Sequence, residues 1–522
     1  MSQLLFRLCA WPLCLALLLS APLAHGAIPA PADLPADPHA DSPLPGAGLV
    51  ADVELLRQAY TALHPGLYRY VGEAEMARRF DALREQVRNG ATLGQAYLAF
   101  SRFTAGIRCG HTYPNFANQP EPIRRALFAH AGLLPFQFVW LDGRMVITRD
   151  GSVPARLPRG TQVLVIDGIP TSRILSALMQ VARADGGNDA KRVAQMQIQG
   201  RERTEAFDVY LLLLFPQIAQ NPLLRVQLPD ERAPRNVRVQ GFAPAQRSAM
   251  ASVRERGSDA PAWTIRMQTP QLAVLSMPDW ALYDSVWNWR DFLDTTFADL
   301  DARQVPALVI DLRGNEGGLD EVGNALLAHL TTQPVHLPQI RQLVRYRRVP
   351  DALAPYLSTW DASFRDWGDA AQPYDGRYYT LTRWQPATAS AAIQPQAPHY
   401  RGKVFVLIGP DNSSATFKFA DQLKASGLAT LVGQTSGGNR RGINGSAFFF
   451  LHLPHSGIEL DLPLVGQYPA DAQPDAGISP DVAVAPGIAD IAAGRDAEMA
   501  AVLKALTGMP DASPSSPPGN AL

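Results

Sequence analysis

The stretch Ala307-Leu308-Val309-Ile310-Asp311-Leu312-Arg313-Gly314-Asn315-Glu316-Gly317-Gly318 decides the fold. Its apolar run, 307–312, reads as a strand buried on both faces. The run empties into a glycine turn, and a helical period follows over 319–331. The same grammar returns later. A strand is expected at 404–408, then Gly409-Pro410-Asp411-Asn412-Ser413-Ser414-Ala415-Thr416-Phe417, with a helix over 415–426. Further strands are expected at 271–277 and 429–432, and an aromatic-rich helix at 282–300. The runs 448–453 and 458–462 should pair as a hairpin across 454–457. Strands alternating with helices imply an α/β protein with a largely parallel sheet and crossover helices.

Around this rhythm, at 263–490, the chain divides by composition. Residues 1–26 read as a signal peptide: Arg7 precedes an apolar run over 8–23, and Ala24-His25-Gly26 supplies small residues for cleavage. The run is shorter than the ~20 apolar residues of a membrane span, so no stable span is expected after removal. Residues 27–47, rich in Ala, Pro and Asp, read as a linker. Over 48–120 the pattern is helical; Val50, Val53, Leu56, Tyr60 and Leu63 share one face. Helices near 74–89 and 92–106 lead to Arg108-Cys109-Gly110-His111-Thr112. Residues 121–245 are β-rich, with short runs at 136–140, 145–148, 162–166 and 224–228 and a helix near 172–183. A polar connector spans 244–262. Residues 491–522 form a helix and a loose, Pro/Ser-rich tail.

Composition narrows the chemistry. Of 522 residues, 47% are hydrophobic and 18% charged, which excludes wholesale disorder. A formal charge of −1 gives no electrostatic footprint for nucleic acid. Only five lysines occur (Lys191, Lys403, Lys418, Lys424, Lys504), so candidates for a catalytic lysine are few. Cys9 and Cys14 leave with the signal, and Cys109 alone makes neither a disulfide nor a Cys/His zinc site. No cofactor or metal is called for. Gly-x-Ser-x-Gly, His-Glu-x-x-His, a Gly-Lys-Ser/Thr phosphate loop and Ser-x-x-Lys are all missing, which turns the reading away from α/β-hydrolases, zincins, nucleotide binders and β-lactamase-like enzymes.

Three elements remain. The glycine turn at a helix start suits an oxyanion hole, because backbone N–H groups and the helix end both face a developing negative charge. A Ser at the second strand-to-helix junction is an N-cap or a nucleophile, and Ser413 and Ser414 together allow both. A serine hydroxyl needs a base, and histidine is the usual one. His111 is the candidate, with His64, His130, His329, His336, His399, His452 and His455 as rivals.

In this order, together with Val432-Gly433-Gln434-Thr435-Ser436-Gly437-Gly438 and Gly477-Ile478-Ser479-Pro480-Asp481, these motifs resemble the C-terminal-processing (tail-specific) serine peptidases. That family includes the tricorn protease core and interphotoreceptor retinoid-binding protein. The resemblance covers about residues 50–490. It implies a ClpP/crotonase-like catalytic domain, an N-terminal helical region carrying His111 and a degenerate PDZ-like module at 121–245. It also implies Ser414 as nucleophile, Ser413 as a supporting residue, and N–H groups of Gly317 or Gly318 with Ala415 as the oxyanion hole. The lysine base of one branch has no counterpart in Gly437-Gly438-Asn439-Arg440-Arg441-Gly442, so the chain resembles the tricorn-like branch, whose base is a His like His111. Asp475, with Asp471 second, is the candidate to orient the network. Two positions depart from the pattern: Gly110 stands where that branch has a Ser, and Phe417 where an acid is common. The implied function is an exported, periplasmic or secreted serine peptidase acting on peptide or protein substrates. The alternative is a catalytically inactive binder of a peptide or an apolar ligand on the same fold.

Overall fold

The computed structural model describes residues 31–252, 257–384 and 392–507. The expected signal peptide and the tail from Gly508 lie outside the described residues.

The central sheet has six strands in the order Val482–Ala483, Thr430–Gly433, Lys403–Ile408, Ala307–Asp311, Leu272–Ser276 and Thr264–Thr269. All neighbours run parallel except the last pair. Leu308, Val309, Ile310, Val406, Leu407 and Ile408 are fully buried, which is why the two middle strands read as unbroken apolar runs. Asp311 registers against Leu407 and against Ser276. The turns leaving these strands are therefore neighbours at the carboxyl end of a parallel sheet, where open α/β sheets bind ligands. The helices Asp320–Leu330 and Ser414–Ser426 cover one face through Val322, Leu326, Phe419 and Leu423. Met499 and Val502 of the helix Ala497–Thr507 pack on the other.

The hairpin expected near 448–462 is longer and belongs elsewhere. Its strands are Asn444–His452 and Glu459–Pro469, in a second, antiparallel six-stranded sheet with Leu357–Ser358, Ile340–Val344, Tyr379–Leu381 and Ala371–Pro373. The N-terminal helices Gly46–Leu63, Glu73–Val87 and Leu93–Ile107 share a core with this sheet. Tyr60, Phe80, Tyr97 and Phe100 are buried there, each contributing ~1.5–3 kcal/mol. Tyr60 Oη also donates to the Asp461 carbonyl at 3.1 Å.

Two expectations need correction. Residues 31–45 are no free linker: Pro43–Leu44 pairs with Ala91–Thr92, and Asp33 Oδ2 meets His455 Nδ1 at 2.8 Å. The helix expected at 282–300 begins only at Trp289. Asp279, Ser285 and Asn288 accept from backbone N–H groups two or three residues on, and such bonds compete with helix before acting as a cap.

The β-rich module carries the strands Phe136–Leu141, Arg144–Asp150, Gln162–Ile166, Leu223–Gln227 and Arg235–Arg238 in that spatial order. Between the third and fourth lie the helices Thr171–Leu178, Asp189–Gln195 and Ala206–Leu214.

Candidate active site

Two buried asparagines lock the neighbouring turns together. Asn412 Nδ2 donates to the carbonyls of Leu312 (2.6 Å) and Asn315 (3.0 Å), and its Oδ1 accepts from Gly409 N–H at 2.7 Å. Asn315 Nδ2 donates to Met277 O at 2.8 Å, and its Oδ1 accepts from Gly317 N–H at 2.9 Å. The second bond divides the candidate oxyanion donors. Gly317 spends its N–H on Asn315, so Gly318 is left to act with Ala415, whose N–H lies in the unpaired first turn of the helix.

Gly317 serves by close approach instead. Its φ is +110°, and a Cβ there would stand 2.8 Å from Ser413 O and 2.9 Å from both Ala415 N and Ser414 Cβ. Only glycine brings the turn this near to the serine pair. Ser413 Oγ donates to Glu316 O at 3.0 Å and so tethers the turn. Ser414 is the first residue of the helix and sits at φ +51°. A non-glycine residue there stores ~1–3 kcal/mol of strain, of the kind found at functional sites.

His111 lies in the turn after the helix Leu93–Ile107, which ends at Arg108 with φ +63°. Buried Thr112 pins this turn through His64. His64 Nδ1 accepts from Gly66 N–H at 3.0 Å, so its Nε2–H donates to Thr112 Oγ1 at 2.8 Å. Burial lowers the His64 pKa to about 3, and a neutral, doubly engaged ring is no base. His111 Nδ1 is buried without a hydrogen-bond partner, and the ring packs on Phe448 at 5.8 Å. Burial lowers its pKa. The Asp185 and Glu316 charges oppose that shift, and those of Arg183 and Lys191 add to it.

Sequence reasoning missed the segment that joins these parts, residues 183–191 of the β-rich module. Arg183 Nη1 donates to Gly110 O, and its Nη2 lies 3.9 Å from Glu316 Oε2. Asp185 Oδ1 accepts from Gly110 N–H at 2.9 Å. A Cβ on Gly110 would lie 2.8 Å from Asp185 Oδ2, so this carboxylate fills the space a serine side chain would need. Gly187 N–H donates to Asp475 Oδ1 at 2.8 Å, as does Asn439 Nδ2 at 2.6 Å. Asn188 Nδ2 donates to the carbonyls of Ser436 (2.9 Å) and Gly438 (3.0 Å). Lys191 Nζ lies 2.9 Å from Glu316 Oε1 and donates to Asp411 O at 3.1 Å. Asp475 therefore braces the 186–187 turn, and Asp185 is the carboxylate bonded to the His111 turn. Asp471 is exposed. Phe417 is buried with its ring under Gly438, a packing role in place of an acid.

Several rival histidines are engaged elsewhere. His455 pairs with Asp33, and His329 stacks on Phe297 at 4.4 Å with Asp294 at 3.1 Å. His452 stands between Ser358 Oγ (2.8 Å) and Glu459 Oε2 (3.2 Å), a row with the residue types of a triad. Its electrostatics run the wrong way. Burial, with Asp461 adding, lifts Glu459 to about 8, and burial lowers His452 to about 4. A protonated Glu459 donates to Nδ1, so Nε2–H donates to Ser358 and cannot take its proton.

Among the described residues no helix is long and apolar enough to cross a membrane, and no group of three or more His, Cys, Asp or Glu could hold a metal.

Comparison with curated proteins gives no match. Residues 271–484 match peptidase family S41. Among solved structures, mature CPAF complexed with lactacystin is similar with a TM-score of 0.58 and 15% identity, over 88% of this chain and 97% of that one. Another structure of mature CPAF gives 0.54 and 15%, over 86% and 94%. At such identities the likeness is one of fold. The matched segment holds the glycine turn, the serine turn and most of the parallel sheet, so the likeness to peptidase family S41 lies in residues 271–484, where the candidate nucleophile and oxyanion turn stand.

Proposed function

We propose that this chain is a serine-type peptidase, with Ser414 as nucleophile and His111 as base. His111 takes the Ser414 Oγ proton as Oγ attacks the scissile carbonyl carbon. The N–H groups of Gly318 and Ala415 receive the oxyanion, where each donor is worth ~3–4 kcal/mol of barrier. Collapse expels the amine, which carries away the proton from His111, and water hydrolyses the acyl-enzyme. One observation carries the reading: Ser414 sits strained at φ +51° on a helix start, with the Gly317 turn against it. A binding protein gains nothing from that strain, which weighs against the inactive alternative.

The finer reading is an exported, tail-specific enzyme. The signal-like pattern of residues 1–26 supports export. On the β-rich module, a cavity of about 1100 Å³ is lined by Arg149, Arg156, Arg159, Arg235 and Arg238 with Leu157. A cationic recess of this kind supports recognition of a peptide's terminal carboxylate.

Turnover of unstructured peptides tests the assignment. Ser414→Ala should lower kcat by ~10³-fold or more with the fold intact. Ser413→Ala, which frees only the Glu316 carbonyl, should cost ~10-fold. An active Ser414→Ala beside an inert Ser413→Ala would move the nucleophile by one residue.

A further inference from the structure

Lys191 is 3% exposed, although it is one of only five lysines in the chain. It lies on the helix Asp189–Gln195, outside the segment matched to the family. A buried ammonium is costly unless it is paired and hydrogen-bonded. Its two partners come from the two turns that meet at the candidate nucleophile. Glu316 immediately precedes Gly317, and Asp411 lies three residues before Ser414. One ammonium, 2.9 Å from the Glu316 carboxylate and 3.1 Å from the Asp411 carbonyl, therefore spans both. The same Glu316 accepts from Ser413 Oγ through its carbonyl. Its side chain is 44% exposed, with Lys191 on one carboxylate oxygen and Arg183 near the other. Burial would raise the Glu316 pKa, but the Lys191 and Arg183 charges bring it down to about 2, so it faces Lys191 as a carboxylate across the working pH range.

We propose that Lys191 is a positioning residue for this reaction: it holds the glycine turn and the serine turn at the separation where the Gly318 and Ala415 N–H groups converge on the oxyanion. The inference rests on the serine-peptidase reading. It assigns Lys191 no proton transfer, only the fixing of two backbone turns before the transition state forms. Preorganised donors lose their worth when they drift by an ångström. The loss should therefore appear in kcat and not in substrate binding.

The test uses the full chain and the variants Lys191→Met, Lys191→Arg, Glu316→Gln and the double variant Lys191→Met/Glu316→Gln. Three quantities are measured: the rate of Ser414 labelling by a fluorophosphonate, and kcat and KM on an unstructured peptide. Lys191→Met should lower kcat and the labelling rate by ~10²-fold with KM within about threefold. Lys191→Arg should keep activity within ~10-fold, because a second cation still reaches both partners. The double variant should recover ~10-fold over Lys191→Met, since it leaves no unpaired carboxylate. Should Lys191→Met fail to fold, Lys191→Arg and Glu316→Gln carry the test, and Glu316→Gln should show the same loss in kcat with KM held. The inference is overturned if Lys191→Met or Glu316→Gln turns over at the parent rate, or if the loss lies in KM. It is equally overturned if Lys191→Arg is as inert as Lys191→Met, which marks a proton-transferring lysine, as arginine cannot give up its proton. A parent chain left unlabelled at Ser414 overturns the serine-peptidase reading itself. A labelled parent with insensitive variants overturns only the role of Lys191.

Discussion

At position 110 a side chain has no room. The Asp185 carboxylate accepts from the Gly110 N–H and occupies the volume a Cβ would enter. Gly110→Ser should therefore lower activity, by ~10-fold or more, by pushing the His111 turn away. Adding Asp185→Ala should recover part of the loss, which a comparison of kcat for the two variants checks. A Gly110→Ser enzyme at full activity would show that the space is not needed. The glycine that read as a departure from a family pattern in the sequence thus has a structural reason in this chain. That reason lies 75 residues away and carries no local signal. The serine pair shows the same limit. Sequence alone leaves Ser413 and Ser414 open because both sit where a helix starts. The proposal for Ser414 draws on Ser413's bond to the Glu316 carbonyl and on the Ser414 backbone, which are tertiary facts. The proposal of Gly318 over Gly317 as donor turns on one side-chain oxygen, that of Asn315.

Individual elements were legible where the signal is short-range. The buried strands Ala307–Asp311 and Lys403–Ile408 and the helices after them stand close to where their apolar runs and turns put them. Of the second sheet only the hairpin was legible. Its other strands come from 340–381, and pairing across such separations leaves no periodicity to read. The strand Glu459–Pro469 carries a further consequence. Glu459 is raised to about 8, with burial as the leading cause and Asp461 as the second. Between pH ~4.5 and 8 the folded state holds a proton that the unfolded state has released, so this group takes stability away as pH rises through that window. Above 8 the difference is complete. Glu459→Gln removes the titration, so its stability relative to the parent should improve from pH 5 to pH 8, by at most ~1.4 kcal/mol per unit. Urea denaturation of both proteins at the two pH values checks this. A stability difference that stays constant, or moves in the parent's favour, would mean that Glu459 is ionised throughout.

Across the whole molecule, the candidate active site proposed above draws on three regions. The α/β sheet provides Ser414 and the glycine turn, the N-terminal helices provide His111, and the β-rich module provides the segment 183–191 that touches both. Hydrogen bonds from that segment reach Gly110, Asp411, Ser436, Gly438 and Asp475. A module that read as a separate unit in the sequence is a structural part of the candidate active site. The central claim, that His111 activates Ser414 across some 300 residues of chain, is tested most directly by fluorophosphonate labelling of the full protein, located by peptide mass spectrometry across pH. The account predicts a label on Ser414 that is lost in His111→Ala. Because burial lowers the His111 pKa, the neutral base persists below pH 6.5, and the labelling rate should fall only at lower pH. A label on another serine, or one on Ser414 that survives His111→Ala, would contradict it.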